Sequence, residues 1–505
     1  MDNALTTEYG VVPQRLLPRN IDTSVNYDVI IVGSGLGGGV LASALADAGA
    51  NVLVLEAGSY LFPTHVGNLP RALPIGQFDK NVWHLWRDFA VINYRNINGS
   101  NFQGAQGFNL GGRSIFWGAL TPRQTQWQLQ SWPQVIVDYL LNGNGYANAE
   151  QRLNVGQLPP SQFQQDSTAF LDATISGFVA ANAPMGIQYV APAHWMLPVG
   201  LFSTADLLLE DALRAGAPAP DRALTINLNH AVWSVTTNGT EATGVHCFDL
   251  LDRAERYYKG NVIVLAAGTI ESAKIALQSG LNDPAKLIGQ GITDHAIRYR
   301  HFTVPPNHPH ASTTDSAKVV LQHPAATEQA HAFDVIVELG TELNQGRYVD
   351  PTDLASDENI RNGWMMCEIV FQYYADLVTG NVVQTAGADP AYPVNINIAP
   401  ATPSQALRDE ADQIAQAVFA AFDAQPVIGE QDWPALLTAD LGGVAHEVGT
   451  LRMTAGSTGV VDTDLKFVAY DNLYACDNSV FPASPAANPS LTLAALALRL
   501  AGHLK

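Results

Sequence analysis

The segment YDVIIVGSGLGGGVLASALADAGANVLVLEAG, residues 27–58, decides the fold. YDVIIVG (27–33) is a continuous apolar run ending in glycine, the form of a strand buried on both faces. GLGGGVLASALADAG follows with small residues on a helical period and ends at Gly49. NVLVLEAG (51–58) is a second buried strand, so the stretch is a β-α-β unit. Its turn, Gly33-Ser34-Gly35-Leu36-Gly37-Gly38, is a GxGxxG. That motif alone is weak. A strand before it, a helix after it and a second strand ending in Glu56 make it a dinucleotide fingerprint. Gly33 permits the tight turn, Gly35 lets the backbone approach a pyrophosphate, and Gly38 lets the helix pack on the sheet. The helix N-terminus offers free N–H groups to phosphate, and Glu56 is placed to accept from an adenosine ribose. FAD and NAD share the ADP half, so this unit does not choose between them.

Outward from this unit, the chain divides into two domains assembled from separated segments. Residues 1–26 read as an extended arm. Buried-strand patterns return at 225–265, ending in NVIVLAAG, and the helix TIESAKIALQSG follows. Helical patterns are expected near 134–142 and 162–182. From about 296 the period changes. YRHFTVPP, AKVVLQH, AFDVIVELG, WMMCEIVFQYY, NVVQTAG and VNINIAP read as strands of a largely antiparallel sheet, closed by the helix SQALRDEADQIAQAVFAAFDA. The expected division is a dinucleotide-binding domain of 1–150, 200–295 and 440–505, and a substrate domain of 151–199 and 296–439.

With 505 residues, 47% of them apolar, the chain can bury two such cores. Its 26 Lys and Arg against 47 Asp and Glu give −21, which repels nucleic acid and anionic membrane and favours solubility. The three cysteines, Cys247, Cys367 and Cys476, match no metal-ligand spacing. They read as thiols rather than as one disulfide and a leftover, in keeping with a reducing cytoplasm. The N-terminus lacks the form of a secretory signal, and no apolar run has the length of a membrane span.

Two further regions carry chemistry. NLGGRSIFWGALTPR (109–123) joins glycines, which admit a close approach, to Phe116 and Trp117. HEVGTLRM (446–453) is followed by NLYACDNSVFP and ANPSLT. There Asn488 suits a helix N-cap and Pro489 the first helical position. A helix N-terminus stabilises negative charge placed before it.

Taken together these motifs resemble the GMC (glucose–methanol–choline) flavoprotein oxidoreductases, nearest to the pyranose oxidase and cholesterol oxidase branches. The likeness runs through YDVIIVGSGLGGG, LEAG, GGRSIFWG, VIVLAAGTIESAKIALQSG with ITDH, HEVGT, and NLYACDNSVFP with ANPSLT. It is weak across 296–440. The resemblance implies a Rossmann-like FAD-binding domain (α/β) and a discontinuous α+β substrate domain. It implies oxidation of a hydroxyl to a carbonyl by hydride transfer to flavin N5, on a sugar or glycoside, with oxygen or another acceptor reoxidising the cofactor. His446 takes the role of base and Asn488 that of its partner. Gly112, Ser114, Trp117 and Gly118 lie in the loop beside the flavin. Val232 matches a position whose backbone meets adenine, and Asp477 one beside the ribityl and pyrophosphate. Phe116 stands where some members carry a histidine bonded to flavin, so non-covalent FAD is expected. Asp294-His295 is given no role, and no metal is expected. The alternatives are oxidation of a non-sugar alcohol or sterol, or a flavin-dependent lyase or photoenzyme on the same scaffold. Oligomeric state stays open.

Overall fold

The computed structural model describes residues 19–62, 64–68, 89–156, 159–188, 200–215, 223–340, 356–387, 389 and 392–505. The elements that build the site begin with β1 (Asn26–Val32), α1 (Leu36–Asp47), β2 (Asn51–Glu56), α2 (Gln162–Thr174), β3 (Val179–Asn182) and α3 (Thr204–Ala215). Next come β4 (Ala223–Leu228), β5 (His230–Asn238), β6 (Glu241–Asp249), β7 (Ala254–Leu265) and α4 (Thr269–Gln278). Then follow β8 (Ile297–Val304), β9 (Ala317–Gln322), β10 (Phe333–Leu339), β11 (Met365–Tyr373), α5 (Gln405–Ala421), β12 (Leu473–Ala475) and α6 (Ser490–His503).

The first sheet runs β4-β2-β1-β7-β6-β5, with β12 also paired to β7. Strands β4, β2, β1, β7 and β12 are mutually parallel. Strands β6 and β5 extend the sheet in antiparallel fashion. The parallel strands are apolar throughout because helices cover them, and Ile30, Ile31, Val54 and Leu265 are fully buried. Helix α1 packs against α6 and α3 and is buried nearly all round. Its glycines make this possible. A Cβ on Gly37 would lie 2.0 Å from the Cys476 carbonyl oxygen, and one on Gly38 2.2 Å from that of Gly33.

The second sheet contains β8-β11-β10-β9-β3, all antiparallel. Alternate residues face opposite sides. One side, with Phe302, Val319, Val335, Ile369 and Phe371, forms a core with Leu407, Val418 and Phe419 of α5. The other side carries Val320, Ile336 and Val370 among polar residues, and it faces the first domain.

Two expectations need correction. The helix expected over 162–182 ends at Thr174, and 179–182 is β3, paired with β9. Gly177 at φ +87° breaks the helix, and the edge of β9 offers the following residues a ladder. Residues 382–384 and 394–397 do not join the large sheet. They form a small one with Tyr94–Asn96, because Val383, Val394 and Ile396 bury against Tyr94, Phe102 and Ile270. The arm expected at 1–26 lies outside the described residues up to 18. All three cysteines are buried free thiols, with burial pushing each thiol pKa up.

Candidate active site

One continuous cavity runs from the end of β2, past the glycine turn, to the polar side of the second sheet. At its first end Gly33 turns the chain at φ +101°, where a Cβ would lie 2.4 Å from the Ala266 oxygen. Gly35 differs: a Cβ there would meet nothing within 4 Å. The space in front of it is cavity, at the N-terminus of α1. Glu56 accepts from the Ser34 N–H (3.0 Å), the Ser34 hydroxyl (2.6 Å) and the Gly58 N–H (3.0 Å). Burial raises its pKa against those three bonds, and one lone-pair direction remains for a ribose hydroxyl. Val232 lines the same end, where a β-bulge between Val232 and Ser234 interrupts pairing with β6.

Three helix N-termini meet this cavity. Those of α1 (N-cap Gly35), α4 (N-cap Gly268) and α6 (N-cap Pro489) all lack a side-chain cap. Uncapped N-terminal N–H groups need acceptors, and phosphate and carbonyl oxygens supply them. Asp477 holds the middle of the cavity together. It accepts from the Gly268 N–H (2.9 Å), the Ser272 hydroxyl (2.5 Å) and the Ser479 N–H (2.9 Å). Burial raises its pKa against these bonds. The loop 109–118 lies alongside, with Gly112 (φ +54°) placing a hypothetical Cβ 3.1 Å from the Gly35 Cα. Ser114 locks that loop by donating to the Gly111 carbonyl (2.6 Å) and accepting from the Thr204 N–H (3.0 Å). Trp117 donates its indole N–H to the Phe202 carbonyl (2.7 Å), while Phe116 packs edge-on to Phe62. Phe116, Trp117 and Gly118 all line the cavity. These residues fit a dinucleotide carrying a flat, electron-rich ring.

Beyond Asp477 the cavity reaches His446 and Asn488. The segments 293–295 and 446–448 form an antiparallel bridge, with Thr293 and Val448 exchanging N–H···O bonds of 3.1 and 2.9 Å. In that register His295 faces His446, and His295 Nε2 lies 2.9 Å from His446 Nδ1. His295 Nδ1 lies 2.7 Å from the Pro485 carbonyl oxygen. A carbonyl only accepts, so His295 carries its proton on Nδ1 and presents Nε2 as an acceptor. His446 Nδ1–H must then donate to it. The remaining nitrogen, His446 Nε2, holds a lone pair and faces the Asn488 Nδ2 donor at 3.4 Å.

Two acidic residues lie nearby, and one of them is ion-paired. Arg113 Nη1 meets Glu447 at 2.8 Å. Asp294 accepts from the Gly442 N–H (3.0 Å), and burial, then the Glu447 charge, hold its carboxyl well above the usual range.

The comparisons with known proteins agree with this geometry. GMC oxidoreductase family profiles match residues 27–297 and 383–497. The chain belongs to the GMC oxidoreductases. Full-length similarity to a curated protein supports the assignment. The enzyme is 25% identical to the 5-(hydroxymethyl)furfural oxidase of Methylovorus sp. (strain MP688), over 95% of this chain and 98% of that protein. In fold it resembles the crystal structure of pyridoxine 4-oxidase from Mesorbium loti, with TM-score 0.66 and 18% identity over 95% of this chain and 99% of that one. It also resembles a formate oxidase of Aspergillus oryzae RIB40, with TM-score 0.68 and 14% identity over 95% and 98%. It is an FAD-dependent alcohol oxidoreductase.

In this GMC oxidoreductase the cavity brings together Gly33, Gly35, Glu56, Gly112, Ser114, Trp117, Gly118, Val232, His446, Asp477, Asn488 and Pro489. Gly38 lies behind it, packing α1 on the sheet. One local expectation is off by a residue: Pro489, not Asn488, is the N-cap of α6, and the helix starts at Ser490. The Asn488 amide therefore turns to His446 rather than to its own helix. Sequence reasoning missed His295. Its only signal was its place beside Asp294 in ITDH, and the pairing with His446 spans 151 residues. It also missed Gln372, Lys318 and Ile336, which form the far wall of the cavity. Of FQYY, Phe371 and Tyr373 belong to the second core. Among the described residues no helix is long and apolar enough to cross a membrane, and no cluster suits a metal ion.

Proposed function

We propose that this enzyme oxidises a hydroxyl-bearing carbon to a carbonyl, with His446 Nε2 receiving the hydroxyl proton. The observation that carries this is the chain Pro485 carbonyl, His295, His446, which leaves the lone pair on the nitrogen beside Asn488. An imidazole titrates near neutral pH and suits this proton transfer. Asn488 does not titrate, and its Oδ1 has no partner among the described residues. It orients the hydroxyl, with a donor at one end of its amide and an acceptor at the other.

FAD, when bound, supplies the two-electron acceptor for the hydrogen that leaves the carbon. Glu56 and Val232 would hold its adenosine end, and the α1 N-terminus at Gly35 its pyrophosphate. Asp477, Gly112, Ser114, Trp117, Gly118 and the α6 N-terminus at Pro489 would hold the remainder. Phe116 offers no nucleophile, which supports non-covalent attachment. The substrate favoured is a sugar or glycoside, and the polar Gln372 and Lys318 among the lining residues support a polyhydroxy compound. A full-length relative named for oxidising a hydroxymethyl compound supports chemistry at a hydroxyl. Oxygen or another acceptor closes the cycle. The buried thiols support a cytoplasmic setting.

Anaerobic absorbance in the dark, with a panel of pyranoses, glycosides and simple alcohols, tests this. Bleaching of the flavin by an alcohol, slowed strongly in His446→Ala, is the expected result. Absence of bleaching by every alcohol in the FAD-loaded protein refutes it in favour of a lyase or photoenzyme.

A further inference from the structure

One wall of the cavity is built by three neighbouring strands. Lys318 on β9, Ile336 on β10 and Gln372 on β11 reach it from the side of the sheet away from α5. With Leu120 and Val444 the wall is apolar at its centre and polar at its flanks. Lys318 is partly neutralised, its Nζ lying 3.0 Å from Glu338. Gln372 is different. It is 3% exposed, yet its Oε1 has no hydrogen-bond partner among the described residues.

Its position invites pairing with neighbours, but they are engaged elsewhere. In register it stands beside Asp334 on β10 and Ile297 on β8. Asp334 accepts instead from Gln322 Nε2 (2.8 Å) and Gln128 Nε2 (3.4 Å). Gln128 in turn accepts from the N–H of Ala487, next to Asn488. Two glutamines around Asp334 are thus fixed by hydrogen bonds, and the third faces the cavity. A buried amide oxygen with no partner carries a desolvation cost that an evolved site offsets with a ligand.

We infer that Gln372 is a specificity-determining residue that binds a second hydroxyl of the substrate, making the preferred substrate a diol or polyol rather than a mono-alcohol. This rests on the hydroxyl-oxidation function proposed above and names the residue that would select its substrate class. A hydroxyl donates and accepts, so it satisfies the Gln372 amide in either orientation. Lys318 belongs to the opposite flank, beside Glu338, four residues along from the Asp334–Gln372 row. The central Ile336, Leu120 and Val444 cover the C–H faces of the substrate.

The test compares kcat/KM for matched pairs, α,ω-diols of increasing length against the corresponding mono-alcohols, and 1,4-benzenedimethanol against benzyl alcohol. The FAD-loaded wild type, Gln372→Leu and Gln372→Met are measured, with flavin absorbance confirming loading. Sites built to bond a substrate hydroxyl reject analogues lacking it. At least one diol is therefore expected to exceed its mono-alcohol by about 10-fold or more, and that ratio to fall towards one in both variants. A wild-type ratio near one for every pair, or a ratio unchanged in both variants, overturns the inference while leaving hydroxyl oxidation in place. Oxidation of none of these alcohols overturns the inference, and hydroxyl oxidation falls with it only if the pyranoses and glycosides also fail to bleach the flavin.

Discussion

Replacing His295 by alanine separates the orientation of the base from the base itself. His295 is 3% exposed and makes two bonds, 2.9 Å to His446 Nδ1 and 2.7 Å to the Pro485 carbonyl. A bond of this kind is worth about 1–1.5 kcal/mol, enough to favour one His446 tautomer by about 10-fold. Without it both tautomers are populated. The base-competent fraction then falls only about 2-fold, but the ring also loses the contact that aims Nε2 at the substrate. The expected loss is about 10- to 100-fold in the rate of flavin bleaching, or about 1.4–2.7 kcal/mol in barrier. His446→Ala removes the proposed base and is expected to cost about 10²- to 10⁴-fold. His295→Gln restores an acceptor for Nδ1–H and is expected to recover part of the loss. The assay is anaerobic stopped-flow absorbance at saturating substrate, across pH, on preparations of equal FAD content. Wild-type rates in His295→Ala, or no recovery in His295→Gln, would refute the tautomer reasoning.

Other perturbations read the remaining parts of the structure. Gly35→Ala meets no protein atom within 4 Å. It should fold as wild type by circular dichroism yet bind FAD more weakly, whereas Gly37→Ala, 2.0 Å from the Cys476 oxygen, should express poorly or melt early. Acid precipitation of the loaded enzyme should leave the flavin in the supernatant, since Phe116 offers no attachment point. Burial pulls the His301 imidazole down, but Glu368 and Glu430 outweigh it and raise its pKa to about 9 from 6.5. The folded state therefore holds the extra proton between those values. Its stabilisation, about 3 kcal/mol, is present below pH 6.5 and lost as pH rises through 9. Denaturant titrations at several pH values should show this slope in wild type and lose it in His301→Gln. Burial raises Asp334 from 3.8 to about 7 despite bonds from Gln322 and Gln128. Stability therefore falls as pH rises from 4 through 7, and denaturant titrations should lose this slope in Asp334→Asn.

Local sequence determined much of this enzyme. The β-α-β unit, the glycine turn and the buried strands are coded by short-range patterns, because period and glycine placement act over a few residues. The fingerprint at 33–38 was legible for the same reason, while His446 and Asp477 were singled out by the family resemblance of their segments. What it left undecided depends on contacts distant in the chain. Residues 179–182 continue a helical pattern on paper but are drawn into β3 by the free edge of β9. Asn488 reads as a helix cap, yet its amide faces a histidine 42 residues away. Gln372 lies within FQYY, where aromatic neighbours mask it, and only strand alternation turns it to the cavity while Phe371 and Tyr373 enter the core. His295 is the clearest case. Nothing in ITDH states that its ring will meet His446, and the register of the bridge between Thr293 and Val448 makes them neighbours. Sequence alone fixed the cofactor-binding scaffold. The tertiary structure decided which nitrogen of His446 keeps its lone pair, because a tautomer is selected by a hydrogen bond that exists only after folding.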